Sequence, residues 1–358
     1  MNSKKFLGIF LVLTVCILGC NAFINYKYDT YGVFDKDFSK FRPAYLNERF
    51  AKMDFLLHEG KGEFDTFIFG SSRCKTLKTT MLSGNVYNLS YSAGVPNDYL
   101  RDLKILLDNN IRPRKIYVGL DDFDYKRLPE EIHSNINFIG YGSTTDNLKY
   151  KIALLFSKPS NDTIRYARGK LTDYQCIYRV NIDGSIGSEK SDSDKNKIDW
   201  NKKVYDKIYE SPTFVPEKNN RIKKTVAELK EIKQICDDNS IELCLFFTPT
   251  HITTYLSDDL NNFNNFKQEV SKISKFHDFS TINFITINNY FWGETSHARS
   301  LVLDMVADVL EGRQNNNIPK DFGVLVSEDN IKEHLEKMKY DREEYLKGEH
   351  RQYVPVNQ

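Results

Sequence analysis

Three short segments of this chain combine the residue types that nucleophilic catalysis uses. Gly70-Ser71-Ser72-Arg73 follows an apolar run, and such a small-residue turn can present a serine hydroxyl at the start of a helix, with backbone N–H groups aimed at it. Ser90-Tyr91-Ser92-Ala93-Gly94 follows the next apolar run, and the glycine lets a backbone N–H approach a bound oxyanion closely. Much later, Trp292-Gly293-Glu294-Thr295-Ser296-His297 sets a carboxylate three residues before a histidine. A hydroxyl, an imidazole that removes its proton and an acid that orients the imidazole are the parts of a covalent acyl-transfer system. Taken singly, each segment is commoner as a turn, a cap or a packing residue, and it is their order along the chain that points to chemistry. Thr248-Pro249-Thr250-His251 adds His251 as a substrate contact or an alternative base, and Arg73 is a cation beside the serine for a negatively charged group. The histidines lack metal-ligand spacing, so neither a metal nor an organic cofactor is implied.

Those segments act together only if a scaffold gathers them. Phe64–Phe69, Asn85–Leu89, Lys115–Leu120, Ile241–Phe247 and Ile282–Ile287 are short apolar runs that read as five strands. Between them, a helix opened by Asn97-Asp98, with Tyr99, Leu103, Ile105, Leu106 and Leu107 largely on one face, and helices over Arg221–Asn239 and Asp259–His277 are expected; Ala298–Leu310 closes the series as a helix. Strands that alternate with helices need crossover connections, which predicts a three-layer α/β domain with a mostly parallel five-stranded sheet. In such a sheet ligands collect at the carboxyl ends of the strands, where the chemistry-bearing segments fall. Residues 126–216 form an insertion rich in Tyr, Asn and Ser, whose stretch Gly184–Lys203 is polar enough for a mobile loop. The tail at 327–358 is charged, with Ile331, Leu335 and Met338 at helical spacing, and reads as a helix packing on the domain or docking a partner.

Of the 358 residues, 40% are apolar and 28% charged, a balance that excludes collagen-like, low-complexity and wholly disordered chains. Fifty basic against 49 acidic residues leave a net charge of +1, so no global field exists to hold nucleic acid. Phe6–Ile24 runs nineteen residues without a charge, just long enough to cross a hydrocarbon core, and Lys4 and Lys5 would keep its start cytoplasmic. That organises the chain into a transmembrane anchor over 1–25, a tether over 26–58 and an extracytoplasmic domain over 59–326. A cleaved signal peptide and lipidation at Cys20, in Ile-Leu-Gly-Cys, are the alternative readings of the same segment. All three place Cys74, Cys176, Cys236 and Cys244 where a disulfide can form; Cys236 and Cys244 are the pair to test, against the expectation of buried small hydrophobes.

With these residues in hand, the chain resembles the SGNH (GDSL-like) hydrolase superfamily. Phe69-Gly70-Ser71-Ser72 is similar to the block that reads Gly-Asp-Ser there, which matches Ser72 to the nucleophile; Gly94 matches the second-block glycine of the oxyanion hole. Glu294-Thr295-Ser296-His297 is similar to the Asp-x-x-His block, with glutamate in place of aspartate, and Gly119-Leu120-Asp121-Asp122 stands where Gly-x-Asn-Asp is usual. The resemblance implies an SGNH or flavodoxin-like sheet, a catalytic set of Ser72, His297 and Glu294, oxyanion donors at Ser72 and Gly94, and substrate contacts at Arg73, Asp121 or His251. With the anchor and the Asn25-to-Gly32 segment, the layout is similar to membrane-anchored envelope proteins that accompany membrane-bound O-acyltransferases. It therefore implies a single-pass protein of the inner or cytoplasmic membrane whose periplasmic esterase or O-acetyltransferase domain acts on cell-envelope polysaccharide. The other reading is a noncatalytic glycan-binding or assembly component that keeps the fold without a working triad.

Overall fold

The computed structural model describes residues 3–35, 37, 46–129, 135–170, 180–187 and 220–348. The chain divides into two compact units, Met1–Glu59 with Glu130–Ile182, and Gly60–Pro129 with Asp183–Gln358. Cys176, residues 188–216 of the insertion and the end of the charged tail lie outside the described residues.

In the first unit, α1 (Ser3–Tyr28) reaches a mean hydropathy of 2.5 over an 18-residue window with none of that window buried, so it is long and apolar enough to cross a membrane. The chain turns sharply after it. Asp29 takes a positive φ of 35°, and its carboxylate accepts the N–H groups of Val33 and Asp35, each at 2.8 Å. Helix α2 (Glu48–Leu57), capped by Asn47, lies within the stretch that the sequence suggests as a tether. It packs through Phe50 on Val33, Tyr150 and Leu154.

The second unit holds the sheet. β1 (Thr66–Phe69) is followed by β2 (Val86–Asn88), helix α3 (Pro96–Asp108) and β3 (Lys115–Leu120). α4 (Thr144–Phe156) and α5 (Asn161–Ala167) belong to the first unit. The second resumes with α6 (Ile222–Asp238), β4 (Glu242–Phe247), α7 (Ile252–Ser257), α8 (Leu260–Ser271) and β5 (Phe276–Asp278). A helical turn α9 (Phe284–Ile287), the hairpin β6 (Trp292–Glu294) and β7 (His297–Ala298), α10 (Ser300–Leu310), β8 (Val324–Val326) and α11 (Ile331–Lys347) complete it. The strand order is β2-β1-β3-β4-β5-β8, parallel throughout except for β8 against β5. All six residues of β3 are buried, as both faces of a central parallel strand must be. Ile68, Tyr117, Phe246, Trp292, Val302 and Val306 belong to the main core, and each such burial removes apolar surface worth roughly 1.5–3 kcal/mol.

The sheet has six strands where the sequence suggests five, and the fifth is displaced. Residues 282–287 carry a strand-like apolar pattern but form α9 instead. The Asn283 side chain accepts the N–H groups of Ile285 and Thr286 while the Thr286 hydroxyl accepts the Asn283 N–H, and this reciprocal cap outweighs β propensity. The true fifth strand, Phe276–Asp278, begins after α8 has stopped at Ser271, inside the stretch expected to be helix. Cys236 and Cys244 are both free thiols.

Helix α11 packs Ile331, His334, Met338 and Tyr345 inward. There His334 Nε2 lies 2.8 Å from Asp278 Oδ2, which also accepts from the buried Lys267 ammonium at 2.7 Å. Burial alone would raise the Asp278 carboxyl, but Lys267 and the His334 hydrogen bond outweigh it and hold the group well below the usual carboxylate range. A depressed folded pKa contributes stability above the unfolded value of about 3.9 and loses it as pH falls below that. Asp278→Asn is therefore expected to flatten the pH dependence of the urea midpoint below about pH 4. At neutral pH it should cost about 3–5 kcal/mol, because Lys267 loses its buried partner. A midpoint that keeps its wild-type acid slope would sink this assignment.

Candidate active site

β1 delivers the chain to Gly70, and a single 3-10 turn over Ser72–Cys74 follows. The two serines of this turn divide the work. Ser71 is fully buried, and its hydroxyl accepts the Arg73 N–H at 3.2 Å, which makes it the cap of the turn. Ser72 is half-buried, and its Oγ lies 2.8 Å from His297 Nε2 across 225 residues of sequence. That is hydrogen-bond distance for a nucleophile and its general base. The Ser72 N–H, at the start of the turn, donates to no acceptor among the described residues, which leaves it available to a developing oxyanion.

His297 opens β7, and its partner across the hairpin is Glu294, with a bulge between Trp292 and Glu294. The Glu294 side chain lies outside the described part of the structure. Several contacts fix the hairpin. The Thr254 hydroxyl donates to Thr295 O at 2.7 Å, and the buried Trp292 indole N–H donates to Ile285 O at 3.0 Å. Arg73 Nε donates to Ser296 O at 3.1 Å, so the residue after Ser72 holds the residue before His297.

Arg73 is only 7% exposed. Besides Ser296, its Nη1 reaches Asp121 Oδ1 at 3.1 Å and forms a shorter bond to Asp122 Oδ1. Burial would weaken the charge, but the carboxylates of Asp122 and Asp121 outweigh it and raise the pKa above the ordinary arginine value. In return Asp122, which burial would push up, is held below the usual range by Arg73 and Lys126. Asp121 also accepts from the Thr248 hydroxyl, which links the ends of β3 and β4 to the serine turn. Arg73 and Asp121, two of the three side chains singled out as substrate contacts, thus form a buried clamp together with Asp122.

His251 also faces inward. It is fully buried and caps α7: the Thr253 N–H donates to Nδ1 at 3.2 Å, which puts the ring proton on Nε2, where it donates to Asn289 Oδ1 at 2.9 Å. Its ring meets Trp292 edge-on at 5.1 Å and so supports the hairpin from below. Gly94 sits beside the serine turn, where a Cβ would lie 2.9 Å from Gly70 O. Its own N–H donates to Tyr91 O at 3.2 Å, so in this conformation that donor serves the turn.

No family model and no curated protein matches this chain. Residues that the sequence does not flag also hold the serine turn. Asn88, at the end of β2, donates to the carbonyls of Cys74 at 2.9 Å and Leu77 at 3.2 Å, which holds the chain just past the serine turn. Its only signal was an amide closing an otherwise apolar strand. Lys75 Nζ donates to Ser92 Oγ at 2.7 Å and ties the serine turn to the segment after β2, a contact with no local signal at all. Among the described residues no group of three or more His, Cys, Asp or Glu side chains is placed to hold a metal ion.

Proposed function

We propose that this chain is a membrane-anchored, extracytoplasmic serine esterase or O-acetyltransferase with an SGNH-like site in a three-layer α/β domain, acting on acyl groups of cell-envelope polysaccharide. The observation that carries this reading is the 2.8 Å contact between Ser72 Oγ and His297 Nε2, with both residues half-buried and within reach of solvent. α1 supplies the anchor, and Lys4 and Lys5 orient it with the domain outside.

In this mechanism His297 Nε2 takes the proton as Ser72 Oγ attacks the acyl carbonyl. The Ser72 N–H stabilises the oxyanion. Collapse expels the alcohol, which receives the proton from His297, and leaves an acyl ester on Ser72. Water or a sugar hydroxyl, deprotonated by His297, then attacks that ester and frees the serine. Water makes the protein an esterase, whereas a sugar hydroxyl makes it an O-acetyltransferase supplied by a membrane-bound O-acyltransferase. Glu294, opposite His297 in the hairpin, is the acid that orients the imidazole.

A serine-directed fluorophosphonate tests this on the full-length protein. The expected result is one covalent adduct that maps to Ser72 and is absent from His297→Ala. A native protein that stays unmodified would overturn the reading in favour of a noncatalytic glycan-binding component.

A further inference from the structure

Outside α1, seven large apolar side chains are exposed among the described residues, and three of them share one helix. Leu148, Ile152 and Phe156 on α4 are 58%, 48% and 52% exposed. A spacing of four residues lines them up along one face of the helix. The buried residues Asn147, Tyr150 and Leu154 form the opposite face, so α4 is apolar on two sides and the first unit covers only one. Lys149, next to Leu148 in sequence, and Lys158, two residues after Phe156, are both exposed. An apolar stripe edged by lysines is the pattern of a helix lying in a membrane interface, where the stripe enters the acyl boundary and the lysines reach headgroups.

The attachment of α4 to α1 sets its depth. Asn25 Nδ2 donates to Leu154 O at 3.0 Å and Ser157 O at 2.8 Å, and Asn21 Nδ2 donates to Leu155 O at 3.1 Å and Ser157 O at 3.0 Å. Leu154 and Leu155 lie in the last turn of α4 and Ser157 is its C-cap, where carbonyls run out of i+4 helical donors; Leu154 O also accepts from the Ser157 N–H and hydroxyl. The end of α4 is thereby fastened where the charge-free run Phe6–Ile24 stops, and Asn21 stands about 4.5 Å of helix rise inside that run. An amide in that position otherwise faces hydrocarbon, so α4 also supplies the partners that Asn21 requires.

We propose that α4 is a second membrane-contacting element, with Leu148, Ile152 and Phe156 lying in the bilayer interface beside α1 and Phe156 the deepest of the three. This rests on the reading of α1 as a membrane anchor, and its partner is the lipid bilayer. Together the two helices would hold the first unit against the membrane surface at a set depth.

The test places single nitroxide labels in the full chain, in vesicles of phosphatidylcholine and phosphatidylglycerol, on a background with Cys16, Cys20, Cys176 and the partly buried Cys244 replaced by serine. Labels go at Ile152→Cys and Phe156→Cys, with Asp146→Cys as the exposed polar control on the same helix and Val12→Cys as the control for the anchor. The expected result is a collision ratio of oxygen over a water-soluble nickel complex several-fold higher at 152 and 156 than at 146, highest at 156 of the pair, with the label at 12 in lipid. If 12 is in lipid while 152 and 156 match 146, the anchor stands and the α4 proposal falls. Shielding of 152 and 156 from both reagents indicates a protein cover and also overturns it. A label at 12 that meets the nickel complex freely removes the anchor reading, and the α4 proposal with it.

Discussion

Ser72→Ala is expected to lower hydrolysis of p-nitrophenyl acetate by about three orders of magnitude or more, and His297→Ala by a comparable factor. On the proposed mechanism the loss falls in kcat, because both groups would then act on the reacting bond. They also act as a unit across the 2.8 Å contact, so the double variant should be no worse than either single one. Ser72 is half-buried and caps nothing, so its removal should change stability by no more than about 0.5 kcal/mol. Ser71→Ala provides the contrast: it removes the cap of the serine turn, at about 1 kcal/mol, and leaves the nucleophile in place. A Ser72→Ala protein that keeps the wild-type rate would exclude the serine mechanism, whatever Ser71 does.

Arg73 should give the second large effect, and in a different quantity. Arg73→Ala removes a buried cation from two buried carboxylates, Asp121 and Asp122, and should cost about 3–5 kcal/mol in a chemical-denaturation experiment. Arg73→Lys separates folding from positioning. A lysine can still neutralise the carboxylates, but a single ammonium lacks the fork that reaches Asp121, Asp122 and the Ser296 carbonyl at once. Release of Ser296 O frees the residue before His297, and a base misplaced by about 1 Å costs on the order of a hundredfold. The expected result for Arg73→Lys is a fall of that order in kcat with KM unchanged. If Arg73 instead held an anionic substrate, KM would rise and kcat would be spared, and that outcome would overturn the clamp assignment.

The Arg73 clamp also explains how a turn as ordinary as Gly-Ser-Ser-Arg is held in one geometry. The 3-10 turn is only three residues long and has few bonds of its own. Its geometry is imposed from outside, by Asn88 on the carbonyls that follow it, by Lys75 on Ser92, and by Arg73 on the hairpin and the ends of β3 and β4. Locking a reactive side chain through surrounding hydrogen bonds keeps it near its working geometry before substrate arrives.

Local sequence determined a good part of this protein. β1 to β4 are short apolar runs bounded by turn residues, and buried parallel strands have to read that way. Residue type and chain order suggested that Ser72 and His297 meet, and the 2.8 Å contact brings the two together. α1 was legible from its length without charge. Tertiary structure alone decided the rest. Phe276–Asp278 became a strand because β4 and β8 flank it, while three residues with a central histidine carry no periodic signal of their own. Residues 282–287 lost their strand to the Asn283 cap, a local bond that competes with pattern. Arg73, Asp121 and His251 stand at strand ends, as residues facing a ligand do, but each turns inward toward groups between 2 and 223 positions away in sequence. Spacing reports which backbone conformation a segment prefers and what chemistry its side chains hold. Whether a polar side chain at a strand end meets a ligand or a buried partner depends on distant residues, and only the packed fold brings those together.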